Sequence, residues 1–398
     1  MVARGRSTQC RSRTVGSVTR TRDHDACPGA LQVHQAADGA LARVRLPGGM
    51  LTPGQLGTLA RVAEEFGSAT LELTARGNLQ IRGISDPAAV AEAVAGAGLL
   101  PSPTHERVRN IVASPLSGRL GGRVDVRPWV RELDSAIQSD PELAELPGRF
   151  WFSLDDGSAD VSGLAADTGV HVQPDGVALL LAGRDTGVRL DPNDVVPTLI
   201  SVARRFVTMR GNAWRVKELT DPRILLDDPT QAFPTAGLFT PGGPPIGWIA
   251  QTGGGSAENR VALGAGVPLG VLTARQAHFV TAMQAPMVVT PWRSLLICDL
   301  EEDVADASLR VLAPLGLVFD DNSPWLQLSA CVGSPGCSRS AADVRAEATR
   351  VAESGTAIGP THYVGCERAC GRPAAATVLL ATEAGYSPLQ TPSPRTVG

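Results

Sequence analysis

The sequence predicts an α+β chain built by duplication, its two halves related by a pseudo-two-fold. Three observations carry this. A nine-residue pattern recurs at a constant offset of 221, from Pro47 to Pro268. The same order of helix-like and strand-like patterns follows each copy. Gly and Pro, at 43 and 30 residues, favour many turns and short elements over long helices. With 398 residues, 43% hydrophobic and 19% charged, the chain can form two or more units with their own cores.

The repeat comes first in the chain. Pro47-Gly48-Gly49-Met50-Leu51-Thr52-Pro53-Gly54-Gln55 returns as Pro268-Leu269-Gly270-Val271-Leu272-Thr273-Ala274-Arg275-Gln276, sharing P-x-G-x-L-T-x-x-Q. Each copy ends in Thr-x-x-Gln, a capping box that satisfies free N–H groups at a helix start. An apolar stripe at helical spacing follows each: Leu56, Leu59, Val62 and Phe66, then Phe279, Val280 and Met283. Two strand-like runs come next, 69–74 and 79–82 in the first copy, 287–290 and 294–297 in the second. Here Thr74, Leu79 and Ile81 match Thr290, Leu295 and Ile297 at offset 216. A strand precedes each helix, 41–46 in the first copy, and a second helix follows, at 87–98 and 304–315. The unit is β-α-β-β-α, a ferredoxin-like half.

The expected organisation is a half domain at 25–100, a larger α/β unit at 101–250, a second half domain at 251–315 and a second larger unit at 316–386. A disordered leader (1–24) and tail (387–398) flank them. Six arginines and no acid before Asp23 give the first 22 residues the composition of a transit peptide or an unstructured arm.

Charge and composition exclude some functions. Thirty-six basic against 40 acidic residues leave a net charge of −4, and only 4% of residues are aromatic, so a nucleic-acid partner is not expected. Lys217 is the one lysine; every other basic residue is arginine. No apolar run reaches the roughly 18–20 residues of a membrane span; the longest, 87–100, contains Glu92. A cytoplasmic protein without a membrane partner is expected.

Seven cysteines stand at 10, 27, 298, 331, 337, 366 and 370, and the last four form Cys331-x5-Cys337 and Cys366-x3-Cys370. Both pairs lie among turn formers, Cys331-Val332-Gly333-Ser334-Pro335-Gly336-Cys337 and Gly365-Cys366-Glu367-Arg368-Ala369-Cys370-Gly371-Arg372-Pro373. Four soft thiolates on tight turns suit a 4Fe-4S cube, with glycines letting backbone N–H groups approach the sulfides. Structural zinc is an alternative that the x5 spacing fits poorly. Disulfides are disfavoured without a secretion segment.

These cysteines, ending a duplicated ferredoxin-like chain, resemble the sulfite/nitrite reductase superfamily. Three other segments share the likeness: Leu73-Thr74-Ala75-Arg76-Gly77-Asn78-Leu79-Gln80-Ile81-Arg82-Gly83-Ile84, Val108-Arg109-Asn110-Ile111-Val112-Ala113-Ser114-Pro115-Leu116-Ser117-Gly118, and Leu146-Pro147-Gly148-Arg149-Phe150. The resemblance covers about residues 25–382. It implies a sulfite/nitrite reductase-like fold in which the cube lies beside a tetrapyrrole, siroheme in the reductases. Arg76, Arg109 and Arg149 match the basic positions that hold the macrocycle carboxylates, a task suited to guanidinium forks.

One departure points to a particular branch. Two positions after Arg149 the reductases carry a second basic residue, and this chain has Trp151; it is also short for that group. Together with Asp25-Ala26-Cys27-Pro28-Gly29-Ala30 at one end and Tyr363-Val364-Gly365-Cys366 at the other, the pattern is similar to the precorrin-3B synthase family. That resemblance implies an iron–sulfur monooxygenase of aerobic cobalamin biosynthesis. It would hydroxylate C20 of precorrin-3A and close a lactone, using O2 and NAD(P)H-derived electrons from a separate reductase or ferredoxin. A siroheme-dependent sulfite or nitrite reductase is the alternative, and a non-catalytic tetrapyrrole or iron–sulfur carrier a third reading.

A cube's irons are fully ligated, so dioxygen chemistry leads us to expect a separate mononuclear non-haem iron. Its ligands are not legible; His24, Cys27, His34, His105 and His362 are the polar candidates. His278 is expected to pack on a helix, Cys298 to be a buried thiol and Cys10 to be free.

Overall fold

The computed structural model describes residues 25, 27–230, 239–240, 242–253, 259–373 and 376–389. The leader, most of the tail, His24 and Cys10 lie outside the described residues.

The first unit runs β1 (His34–Ala36), β2 (Gly39–Val44), β3 (Met50–Leu51), α1 (Pro53–Phe66), β4 (Thr70–Leu73), β5 (Leu79–Ile84) and α2 (Pro87–Gly96). Thr52 caps α1 as its sequence requires. Its hydroxyl accepts from the Gln55 N–H at 3.2 Å, and the Gln55 side chain accepts from the Thr52 N–H at 3.0 Å. Leu56, Leu59 and Val62 then bury their side chains beneath the sheet, with Phe66 packed at the edge.

The second unit contains β6 (Ile111–Ala113), α3 (Arg127–Ser139), β7 (Phe152–Asp155), β8 (Thr168–Gln173), β9 (Gly176–Leu181), β10 (Arg184–Leu190) and α4 (Val195–Met209). Its sheet has the order β10-β9-β8-β7-β6, parallel from β6 to β8 and antiparallel beyond. Phe150, Phe152 and Phe206 pack edge-on or tilted at its centre.

The third unit repeats the first: β11 (Gly247–Gln251), β12 (Arg260–Gly266), β13 (Val271–Thr273), α5 (Ala274–Thr281), β14 (Met287–Val289), β15 (Ser294–Glu301) and α6 (Glu302–Leu312). Thr273 and Gln276 form the second capping box. Strand β15 runs past residue 297 because β12 supplies partners for Leu300 and Glu301. The last unit has β16 (Leu328–Ala330), α7 (Val344–Ser354), β17 (Thr361–Val364), β18 (Thr377–Thr382) and β19 (Gly385–Pro388), in one sheet of that order.

The two half domains exchange a strand. β3 pairs with β14 (Met50 with Val288, Leu51 with Met287), and β13 pairs with β4 (Leu272 with Leu71, Thr273 with Thr70). The repeated motif is therefore the reciprocal link, and it closes sheet edges that β4 and β14 would otherwise leave unpaired. The crossing is tight: Gly49 has φ of 69°, and a Cβ there would lie 2.1 Å from the Val289 carbonyl oxygen. One apolar core, from Leu59 and Ile81 to Val280 and Ile297, runs through both halves. Among the described residues no helix is long and apolar enough to cross a membrane.

Candidate functional site

The floor of the site is one face of the first half domain's sheet. Strands β2, β5 and β4 alternate, so Ala42, Val44, Leu71, Leu73, Leu79 and Ile81 enter the core while Arg43, Arg45, Glu72, Gln80 and Arg82 share the other face. That face is covered despite its charge: Arg45 is 2% exposed, Glu72 7% and Arg82 8%. Its members are cross-linked. Arg43 donates to Gln80 at 2.8 Å, Gln80 donates to Glu72 at 3.1 Å, and Arg345 from α7 pairs with Glu72. Arg82 forks onto Asp38, at 2.9 Å for each arm, and donates to the Gly336 carbonyl at 3.0 Å.

The sister face of the third unit is different. Positions equivalent by offset and pairing are Gly264, Gly266, Val288, Leu296 and Cys298. Leu116 packs onto this apolar patch, and a Cβ at Gly264 would lie 2.1 Å from the Pro245 carbonyl oxygen. One face is filled by the protein itself; the other is lined with charge. Burying charges is costly unless something answers them.

Above the polar floor stand Arg76, Arg149 and Trp151. Arg76 donates to the Gly148 carbonyl at 3.2 Å, and its guanidinium lies 5.6 Å from the centre of the Trp151 ring. Arg215 reaches the same ring at 5.8 Å while bound to Asp167 at 2.7 Å, and Asp167 also accepts the Trp151 N–H at 3.1 Å. Arg149 sits 4.9 Å over Trp214 and 3.7 Å from Asp25, with over half of its side chain exposed. Cys27 lies close to Asp25, Arg43 and Arg45.

Electrostatics follows from this crowding. Burial, and then Arg215, pulls Arg76 down to about 10, with Asp167 opposing. Burial, and then Arg43, pulls Arg45 well below its usual range. Burial pushes the Cys27 thiol up, reinforced by Asp25. Both terminal nitrogens of Arg45, Asp25 Oδ2 and Trp151 Nε1 are buried without a hydrogen-bond partner. Unanswered guanidinium nitrogens beside further arginines suit a carboxylate ligand.

Arg109 does not join Arg76 and Arg149. It is 4% exposed and forks onto Asp134 at 2.6 and 2.8 Å, beside a cavity of about 180 Å³ that Arg45 and Arg131 also line. A fork engaged by a buried carboxylate is already spent. The neighbouring Asn110 braces the site instead. Its amide donates to the Arg107, Gly148 and Phe150 carbonyls and its oxygen accepts from Asn78, which in turn holds the Leu46 N–H. The three segments that contain Arg76, Arg109 and Arg149 thus meet in one network.

The four cysteines lie around the ends of two neighbouring strands. Parallel strands β16 and β17 end side by side, so Cys331 and Cys366 leave the sheet as neighbours, with Cys331 N–H bonded to the Tyr363 carbonyl at 2.9 Å. Cys337 and Cys370 lie in the turns that follow. The Cys370 thiol is pushed up by burial and then by Cys366, Cys331 and Cys337, all close enough to act on it. All four are free thiols. Among the described residues no three His, Cys, Asp or Glu side chains approach closely enough to hold a single ion. Four thiols set on glycine turns suit a cube.

The expected open-site iron finds no such three-ligand set among the described residues, and the arginines around Cys27 disfavour a cation there. His34 is exposed in β1. His105 is buried against Ser102, Thr104 and the Asp140 carbonyl. His362 bridges Ser329 at 2.8 Å and the Cys370 carbonyl at 3.0 Å, and burial lowers it to about 4. His278 is not a packing residue: it reaches Glu64 of α1 at 3.0 Å and ties the two half domains. Cys298 is a buried thiol pushed up to about 12. Sequence reading missed Arg43, Arg45, Arg82 and Arg215; charged residues alternating along Leu41-Ala42-Arg43-Val44-Arg45-Leu46 were the available sign.

Residues 34–95 match the nitrite/sulfite reductase ferredoxin-like half domain. Over 397 residues the chain is 28% identical to precorrin-3B synthase of Sinorhizobium sp, covering 94% of this chain and 83% of that protein. A ferredoxin–nitrite reductase of Leptolyngbya laminosa is 31% identical over 192 residues, 46% of this chain and 35% of the reductase. The Mycobacterium tuberculosis NirA structure superposes with a TM-score of 0.69 at 20% identity, covering 84% of this chain and 69% of NirA. The chain has the nitrite/sulfite reductase-like fold and resembles precorrin-3B synthase along nearly its whole length.

Proposed function

We propose that this chain is a precorrin-3B synthase, an iron–sulfur monooxygenase that converts precorrin-3A to precorrin-3B with O2 and a reductant. The observation that carries this reading is the asymmetry of the sister sheets, one filled with apolar side chains and the other an arginine-lined floor. A polycarboxylated tetrapyrrole supplies what that floor lacks. Arg45, Arg76 and Arg149 would grip its carboxylates.

Trp151 also bears on which reaction is served. The indole puts no charge where the reductases have a cation, and the nearby Arg215 is balanced by Asp167. This rim grips a small anion less well than a macrocycle. The cube that Cys331, Cys337, Cys366 and Cys370 would hold supplies single electrons, received from a separate reductase or ferredoxin. Arg82, bonded to the Gly336 carbonyl between the first two cysteines, ties that loop to the pocket floor.

The test is the visible spectrum of protein purified without oxygen, with iron and acid-labile sulfide counts, followed by precorrin-3A turnover in air with a reductant. Cluster absorption without haem bands, and hydroxylated lactone product, are expected. Sharp haem bands coupled to the cluster would instead identify a siroheme-dependent sulfite or nitrite reductase.

A further inference from the structure

We propose that Arg293 sets the reduction potential of the cluster, an inference that rests on reading the four cysteines as its ligands. Two sister loops of the half domains differ at one position. Thr74 to Asn78 joins β4 to β5, and Thr290 to Ser294 joins β14 to β15. Both close alike: the Thr74 N–H bonds the Asn78 carbonyl and the Gly77 N–H the Thr74 carbonyl, as Thr290 bonds Ser294 and Arg293 bonds Thr290.

The fourth position is left-handed in both. In the first loop it is Gly77, with φ of 65°, where a Cβ would stand 2.8 Å from the Val289 carbonyl oxygen. In the second it is Arg293, with φ of 59°. A non-glycine residue here bears a conformational cost that glycine avoids, and such strain collects where a side chain is needed.

What that side chain does is visible. Arg293 Nη2 donates to the Gly371 carbonyl at 2.6 Å, one residue after Cys370. The guanidinium is half-buried, close enough to Glu72 and Arg345 to feel their charges and close enough to His362 to act on it. It is fixed by the loop at one end and the hydrogen bond at the other. A cube held by four thiolates is anionic and becomes more so when it takes one electron from an external donor. A fixed cation beside its loop stabilises the reduced form and raises the potential.

The experiment is an anaerobic titration of the full chain with dithionite, followed by electron paramagnetic resonance, on wild type, R293G, R293Q and R293K. R293G and R293Q are expected to titrate at more negative potential than wild type, and R293K close to it. R293G should keep the cluster, since the sister loop closes with glycine. Equal potentials in all four proteins would overturn the inference, as would an R293K shift as large as that of R293G. Cluster loss from both neutral variants would also overturn it, making Arg293 an assembly residue. Wild-type protein without iron and sulfide would refute the cluster reading itself.

Discussion

Arg43 and Gly264 hold the same place on sister strands: Arg43 faces Gln80 across the first half domain's sheet, and Gly264 faces Leu296 across the second. The two equivalent faces are filled differently, one by charged side chains and the other by apolar residues and backbone. Where Arg43 extends a guanidinium, Gly264 admits the Pro245 backbone. The proposed function therefore rests on how the two copies differ.

Cys366→Ser and Cys370→Ser should each remove the cluster, read as loss of iron, sulfide and visible absorption. Unchanged iron and sulfide in either variant would reject the ligand assignment.

Arg76→Ala and Arg149→Ala should weaken tetrapyrrole binding with the cluster intact. A hydrogen bond to a charged group contributes about 1.5–3 kcal/mol, so a loss of roughly tenfold or more is expected by fluorescence or spectral titration. Exposed Arg149 should lie at the lower end. Arg109→Ala should behave differently, lowering the melting temperature because Asp134 is stranded, at about 3–5 kcal/mol for a broken buried pair. Wild-type affinity in both Arg76→Ala and Arg149→Ala would end the clamp assignment.

Asp160 gives a pH dependence. Burial raises it to about 6, with Asp155 and Asp156 adding and the Ser114 bond opposing. A carboxyl raised on folding stabilises the protein fully below its unfolded value near 4, and that stability is lost as pH rises through 6. Asp160→Asn, which can still accept from Ser114, should therefore raise stability at pH 7–8 by at most about 3 kcal/mol, and by little at pH 4. Melting curves across this range check it; a gain that is larger at low pH would contradict it.

Two glycines should respond oppositely. Gly49→Ala forces a Cβ into the Val289 carbonyl at the strand exchange and should cost a few kcal/mol, roughly 2–4. Gly54→Ala meets nothing within 4 Å on α1 and should stabilise by about 0.5–1 kcal/mol. Urea unfolding separates the two; equal effects would mean that the backbone at Gly49 has room for a Cβ.

The duplication, both capping boxes and the cysteine quartet were legible in the sequence because each rests on short-range chemistry. Thr52 and Gln55 meet within one helical turn, and Cys331 and Cys366 each follow a short apolar strand. Alternation along β2 and β5 likewise separates two faces, yet it cannot say which face another unit covers. That decision belongs to tertiary structure. The second unit meets Arg45 through the Arg107 carbonyl and the last unit meets Arg82 through the Gly336 carbonyl, packing of α3 delivers Asp134 to Arg109, and the left-handed turn aims Arg293 at Gly371. Each brings together residues far apart in the chain, where pairing is set by packing of whole units and not by local pattern.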